Sequence, residues 1–282
     1  MTSVPDYKSV LEANVVLHSK MAKDYKHEPH WRPENVALVD AKINKLVRET
    51  HAKRAMDLGC GTGFMINLLK KYVPSIVGVD ATQAMLDEVD RSGSADIKLL
   101  CHDTGTLDIE SGSFDLVTCY SFLHHLYDIT PTLNVASKAL RPGGKFYADL
   151  EPNRAFWQQI EALDESDSYD SIIQNEIKKL KFQDGEVAEQ FGISPDLLNK
   201  AEYGKNVKGG FDENELRNQL MKAGFKKIEF QYYWYVGQAD VINSNGDRTQ
   251  SIALASEVDK ILQRIKPLSR VLFKYIGFVA TK

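Results

Sequence analysis

The stretch Ala55-Met56-Asp57-Leu58-Gly59-Cys60-Gly61-Thr62-Gly63-Phe64, followed by Val77-Gly78-Val79-Asp80, decides the fold of this 282-residue chain. It reads as a buried strand, a glycine turn, a helix, and a second strand that ends on a carboxylate. In an α/β sheet that order builds a nucleotide site. Glycines let the backbone approach a ligand, a helix N-terminus presents free N–H groups, and the acid bonds a ribose diol. The glycines are spaced G-x-G-x-G, at Gly59, Gly61 and Gly63, and an acid precedes the first by two residues. Dinucleotide dehydrogenases use G-x-G-x-x-G, so Gly63 sits one place too early for a nicotinamide enzyme.

Outward from this turn, strands are expected near 53–58, 75–80, 97–101, 114–120 and 144–150, with helices near 63–71, 82–91 and 128–140. Alternation with short links implies a parallel sheet with helices on both faces. Residues 7 to 51 look helical, with apolar residues at helical spacing in 36–47, and Pro29 and Pro33 break the pattern between. After Glu151 the alternation stops. Helical stretches at Ala155–Leu163 and Ile172–Leu180 lead into a loop at 204–210, whose Gly209-Gly210 pair is a candidate hinge. A helix restarts at Phe211, with Asp212 as N-cap and Glu215 completing a capping box. An aromatic-rich strand at Lys227–Tyr235, a helix at Ala253–Ile265 and a strand at Val271–Ala280 complete the chain. This divides it into an N-terminal helical cap (1–52), a nucleotide-binding core (53–151), a helical insertion (152–210) and a C-terminal part (211–282). That last part holds a second insertion near 237–268, and both insertions are expected above the carboxyl edge of the sheet.

The motifs together resemble the class I, Rossmann-like S-adenosylmethionine (SAM)-dependent methyltransferases of small-molecule type. Besides the glycine turn and Asp80, Ile97–Asp103 is similar to that family's third strand with its adenine-contacting acid. Phe114–Cys119 is similar to the fourth strand, and Leu140-Arg141-Pro142-Gly143-Gly144-Lys145 to the turn into the fifth. The resemblance implies a doubly wound, mostly parallel seven-stranded α/β sheet with N-terminal helices and a helical insertion capping its carboxyl edge. It also implies SAM as cofactor and S-adenosylhomocysteine (SAH) as product. Asp57 with the Gly59, Cys60 and Gly61 backbone would then hold the methionine end, and Asp80 the ribose. Ala81 and Met85 would pack on the adenine, Asp103 and the N–H of Thr104 would read its edge, and the Tyr120 carbonyl would face the ammonium. Tyr25 and Arg32 would lie over the cofactor carboxylate. In some O-methyltransferases of the family a histidine after strand four removes the acceptor's proton beside an acid at the end of strand five. The matching residues are His124 or His125 with Glu151 or Asp149, and His30 is a further candidate base. Against this stands a structural role for the paired histidines at a helix start.

Composition narrows the chemistry. A net charge of −4 argues against a large basic surface, so no nucleic-acid partner is expected. Cys60, Cys101 and Cys119 fall in expected core segments, which suits a reducing cytoplasm, and the N-terminus shows no apolar signal core. No window is apolar enough to span a bilayer. The sequence lacks the Asn/Asp-Pro-Pro-aromatic motif of adenine-N6 and glutamine-N5 methylation and the Pro-Cys nucleophile of cytosine-C5 methylation. It also lacks the acid cluster of metal-dependent catechol enzymes and any zinc spacing, so no metal is expected. Glu161, Asp164, Glu165, Asp167 and Asp170 either face a cationic amine or form a solvated helix face. In Gln231–Tyr235, Tyr232 and Trp234 share one strand face and Tyr233 and Tyr235 the other, so one pair either lines an acceptor pocket or simply packs. The leading reading is methyl transfer to oxygen or nitrogen of a small molecule. Alternatives are an RNA or protein methyltransferase, or a SAM-binding regulator without turnover. The oligomeric state stays open, a homodimer included.

Overall fold

The computed structural model describes residues 5–163, 168–244 and 246–282, without the side chains of 181–183. Asp164, Glu165 and Asp167 of the acidic run lie outside the described residues. Strands β1 (Arg54–Leu58), β2 (Ser75–Asp80), β3 (Asp96–Cys101), β4 (Phe114–Tyr120), β5 (Leu140–Pro152), β6 (Lys227–Tyr235) and β7 (Phe273–Thr281) form one sheet, in the order β3-β2-β1-β4-β5-β7-β6. Pairing is parallel from β3 across to β5, and β7 runs antiparallel to both of its neighbours. The chain builds outward from β1 to β3 and then crosses back to β4. The carboxyl ends of β1 and β4 therefore flank the point where strand order reverses, the place where open α/β sheets leave a crevice.

Period-two alternation splits the core between the two faces. Met56, Leu58, Val117, Cys119, Phe146 and Ala148 point to one side, packed by α5 (Thr130–Ala139) and α9 (Glu213–Lys222). Ala55, Leu116 and Tyr147 point to the other, under α2 (Pro33–Thr50) and α3 (Phe64–Leu69). A third, smaller cluster lies apart from the sheet. There Ala13, Leu17 and Met21 of α1 (Tyr7–Met21) pack on Ala188 of α7 (Ser171–Phe191) and on Leu198 and Ala201 of α8 (Pro195–Ala201). The N-terminal helix and the insertion thus share one core of their own above the strand ends.

Several local expectations need correction. Asp212 does cap α9, accepting from the N–H groups of Asn214 and Glu215, but the Glu215 carboxylate pairs with Arg154 at 2.8 Å instead of closing a capping box. The segment expected as a loop at 204–210 opens with a π-helical turn, Tyr203–Val207. Gly210 is pinned: its N–H donates to the Gly204 carbonyl and its own carbonyl accepts from the Arg154 guanidinium. Cys101 is exposed at the end of β3, while Cys60 and Cys119 are buried. The second insertion contributes α10 (Gln238–Asn243) and α11 (Arg248–Arg264), and no residue of it lines either cavity at the strand ends. It guards the edge strand instead: Gln263 and Lys266 donate to the carbonyls of Tyr232 and Phe230 on β6. Among the described residues, no helix is long and apolar enough to cross a membrane.

Candidate active site

Two adjacent cavities open at the carboxyl ends of the strands, with volumes of about 900 and 1020 Å³. The first is built on the glycine turn. Gly59, Gly61 and Gly63 have φ of 69°, 49° and 89°, conformations that a side chain resists. At Gly59 space is limiting too, since a Cβ would fall 2.0 Å from the Phe122 ring. The turn hangs on Asp80, whose carboxylate accepts from the N–H groups of Gly61 (2.9 Å) and Thr82 (2.8 Å). Asp57 sits on the cavity floor and takes the Thr118 hydroxyl at 2.7 Å. Burial pushes its carboxyl up to about 8; the Thr118 bond opposes the rise and the charge of Asp80 adds to it.

Ala81, Met85, Thr104 and Tyr120 also line this first cavity, as do Cys60 and Tyr25. Asp103 lines it as well, but its carboxylate is engaged by the Tyr7 hydroxyl of α1, by the Gly105 N–H and by the Thr106 hydroxyl. Arg32 does not reach the cavity. Two 3-10 turns, Tyr25–His27 and Pro29–Trp31, deliver Arg32 as the exposed residue just before α2, and they turn His30 inward in its place.

The second cavity lies beneath the α1–α7–α8 cap. His18, Tyr25, His30, Ser121 and His125 line both cavities and form the wall between them. The rest of the lining comes from distant parts of the chain, including Glu28, Trp157, Asp184, Glu202, Lys205 and Trp234. Gly204 lets the π-helical turn approach, because a Cβ there would fall 2.7 Å from the His124 carbonyl oxygen.

The paired histidines are held in unlike ways. Glu151 lines neither cavity and is fully buried. Its carboxylate accepts from the N–H groups of Phe122, Leu123 and His124 and binds His124 Nδ1 at 2.8 Å. It thus forms the histidine–carboxylate pair that the family resemblance implies, with His124, and it does so from outside both cavities. The side chain reaches that place because pairing with β7 shifts register between Ala148 and Glu151, with Leu150 at φ 60°. Asp149 serves the opposite face, bonded to Tyr147 and paired with Lys42 at 3.5 Å. His124 lines only the second cavity, with Nε2 at 3.6 Å from Glu202. Burial alone would lower its pKa, but the charge and hydrogen bond of Glu151, with the charge of Glu202, raise it. His125 donates from Nδ1 to the Ala201 carbonyl at 2.9 Å; burial and the neighbouring His124 hold it neutral, down to about 3. His30 is buried and held down to about 4 by burial, and its ring has no hydrogen-bond partner among the described residues.

Tyr233 faces Lys42 and the Asp149 cluster, and the expected pairing of Tyr232 with Trp234 fails for a local reason. Trp234 has φ 55°, which breaks the alternation; Tyr232 and Tyr235 share the packed face while Trp234 turns to Tyr275 and the second cavity.

The family model described as a methyltransferase domain matches residues 56–148, from β1 into β5. Class I methyltransferase architecture therefore coincides with the strands that build the first cavity. Residues 56–148 are a methyltransferase domain. A ubiquinone biosynthesis O-methyltransferase of Idiomarina loihiensis is 31% identical over 111 residues, which covers 37% of this chain and 45% of that protein. The chain thus spans about half the length of that relative. Two solved structures share the fold. A SAM-dependent methyltransferase from Mesorhizobium loti aligns with a TM-score of 0.53 at 18% identity, covering 86% of this chain and 96% of that one. Another from Archaeoglobus fulgidus aligns with a TM-score of 0.51 at 16% identity, covering 88% and 94%.

The residues present fit the domain's cofactor. Asp57 offers a buried carboxylate to an ammonium, Asp80 keeps free lone pairs toward a diol, and Met85 gives an apolar floor. Sequence reasoning missed the roof of the methyltransferase site. Tyr7, Val10, Leu11, Asn14 and His18 of α1 line the first cavity, and Asn14 Nδ2 donates to the His125 carbonyl. Their helical spacing in the sequence was the available signal. Glu28, Asp184 and Glu202 of the second cavity carried none, because they belong to segments 156 or more residues apart, 28 and 184 to 202.

Proposed function

We propose that the protein transfers the methyl group of SAM to a small acceptor held in the second cavity. The observation that carries this reading is the shared wall of His18, Tyr25, His30, Ser121 and His125, across which cofactor and acceptor would meet. Bound SAM supplies a methyl carbon already activated by its sulfonium, so the chain's task is alignment, exclusion of water and handling of one proton. Asp57 would anchor the ammonium of the methionine end, and Asp80 the ribose while it holds the glycine turn. Tyr25 and α1 would exclude water from above. The α7–α8 insertion walls one side of the second cavity with Asp184, Val187 and Leu198, which favours a small molecule over RNA or protein. The Idiomarina relative, named for an O-methyltransferase of ubiquinone biosynthesis, agrees with a small acceptor in kind. Oxygen and nitrogen acceptors are both compatible with these features.

Calorimetry with SAM and SAH, followed by incubation with methyl-labelled SAM and a small-molecule extract of the source organism, tests the proposal. The expected result is SAH binding and a labelled product heavier by one methylene, lost in Asp80→Ala. Tight SAH binding without any labelled small molecule would favour a macromolecular target or a regulator. Absence of SAM and SAH binding would overturn the reading.

A further inference from the structure

We propose that the acceptor is an amine, bound as its ammonium between Glu28 and Glu202 and walled by Tyr25, Trp157, Trp234 and Tyr275. This deepens the function proposed above and rests on it. Three features of the second cavity converge on that chemistry.

The first is charge. Glu202 faces His124 and His125, each at 3.6 Å, and Lys205 is paired with Asp184 at 2.9 Å. Against the effect of burial, the neighbouring histidines and Lys205 hold the Glu202 carboxyl down to about 2, so its charge is already met. The Glu28 carboxylate has no ion-pair or hydrogen-bond partner among the described residues, yet the residue is half-buried in the same cavity as Glu202. Two carboxylates facing one chamber, one of them without a cation, lack a positive charge. Burial and the charge of Glu202 hold the Glu28 carboxyl above its ordinary range, as that deficit requires.

The second is hydrogen-bond polarity. Beside the unpartnered Trp157 indole N–H, the chamber leaves three acceptors unclaimed: the Glu28 carboxylate, the second ring nitrogen of neutral His125, and one nitrogen of the His30 ring, which is 7% exposed and unpartnered. A ligand that brings N–H donors satisfies them. The third is the wall. Tyr25, Trp157, Trp234 and Tyr275 line the cavity, and aromatic faces attract a desolvated cation. Trp234 is held there at φ 55°, and Ser121 and Leu150 line the same chamber at φ 52° and 60°. Non-glycine residues kept in that region mark places where the surrounding fold enforces a shape.

In the transfer, the bound ammonium gives one proton to the Glu28 carboxylate, which passes it to solvent from the half-exposed rim. The freed nitrogen lone pair forms the N–C bond, and the C–S bond breaks with its electron pair remaining on sulfur. The products are SAH and the N-methylated amine.

The test uses the full chain saturated with SAH and three probes of one shape, 2-phenylethylamine, 2-phenylethanol and phenylacetate, plus a panel of primary amines. Calorimetry measures binding, and methyl-labelled SAM measures transfer. The expected result is that amines bind at least tenfold tighter than the alcohol or the acid and that an amine becomes labelled. Glu28→Gln should remove the preference by weakening amines tenfold or more, with affinity for SAH and for the alcohol unchanged. The inference is overturned by equal or tighter binding of the alcohol or acid. It is equally overturned by a preference that survives in Glu28→Gln, or by SAH binding with no amine of the panel bound. Failure of SAH itself to bind would overturn the cofactor reading beneath it, a result distinguishable from the others.

Discussion

The two cavities differ in how the chain makes them. The floor of the first is local: the glycine turn, Asp80 and the ends of β1 and β2 lie within 57–85, and Asp80 there is satisfied by backbone N–H donors at 2.8–2.9 Å. The second is assembled from segments between residues 17 and 275, and of its charged groups Glu202, Asp184, His124 and Lys205 are met by one another while Glu28 is not. A site made by backbone geometry keeps its shape without its side-chain neighbours. A site made by paired charges depends on every member, since removing one partner leaves the other buried and uncompensated. The molecule thus joins a fixed platform for one ligand to a chamber built on paired charges for another.

The sharpest way to break this comparison is at Asp80. Asp80→Ala removes the acceptor of two backbone N–H groups, and charge-assisted bonds are worth about 1.5–3 kcal/mol each. SAH affinity should fall by about 100-fold or more in calorimetry, while Glu202→Gln, which alters only the second chamber, leaves it unchanged. If the two substitutions weakened SAH equally, the cavities would be one coupled site and the distinction would be lost.

Glu151 sets the next largest effect, because it belongs to the platform although its bond to His124 shapes the chamber. Glu151→Gln presents an NH₂ group to a nest of three N–H donors and a histidine. Urea unfolding should show a loss of about 2–3 kcal/mol, with His124 losing the partner that raises its pKa. A near-neutral result would mean that the turn at 122–125 is held by its packing and not by this carboxylate.

Asp57 gives a pH signature that belongs to the first cavity. Its folded carboxyl is raised to about 8, above its ordinary value, so the stability it contributes is present at acid pH and is lost as pH rises through about 8. Binding of an ammonium needs the ionised form. SAH affinity should therefore rise with pH toward about 8, by up to about tenfold per unit, and then level off below the titration of the ligand's own ammonium. Asp57→Asn should flatten that slope, and calorimetry in buffers of different ionisation enthalpy should show proton release only in the unaltered protein. A slope that persists in Asp57→Asn would assign the titration to another group.

How much of this was legible follows the same division. The mostly parallel seven-stranded sheet, the glycine turn and Asp57, Asp80 and Asp103 at the cavity were readable because a turn that meets a ligand with its backbone must carry glycines at fixed spacing. What was not readable depends on single backbone reversals. Leu150 and Trp234 adopt positive φ without being glycine, so the alternation that assigns faces fails at each, re-aiming Glu151 and turning Trp234 inward. Arg32 was misplaced because two short 3-10 turns, invisible to periodicity, rotate the chain just before α2. The acids of the chamber were missed because the acidic run near 161–170 drew attention to sequence neighbours, while Glu28 and Glu202 meet only in space.

The smallest expected effect concerns metal, and it sharpens the view of the chamber as built on paired charges. His124, His125 and Glu202 bring one ligand atom each within 4.8 Å of one another, a grouping able to hold an ion. Each is already engaged. His124 Nδ1 is bound by Glu151, His125 Nδ1 donates to the Ala201 carbonyl, and the charge of Lys205 acts on both His124 and Glu202. A divalent cation there would sit close to the Lys205 ammonium, which acts on Glu202 and would repel it. Dialysis against a chelator should therefore leave SAH affinity and methyl transfer unchanged, and emission spectroscopy of the purified protein should find metal well below one equivalent. One equivalent of zinc or nickel, lost together with activity on chelation, would turn the chamber from an ion-pair network into a metal centre.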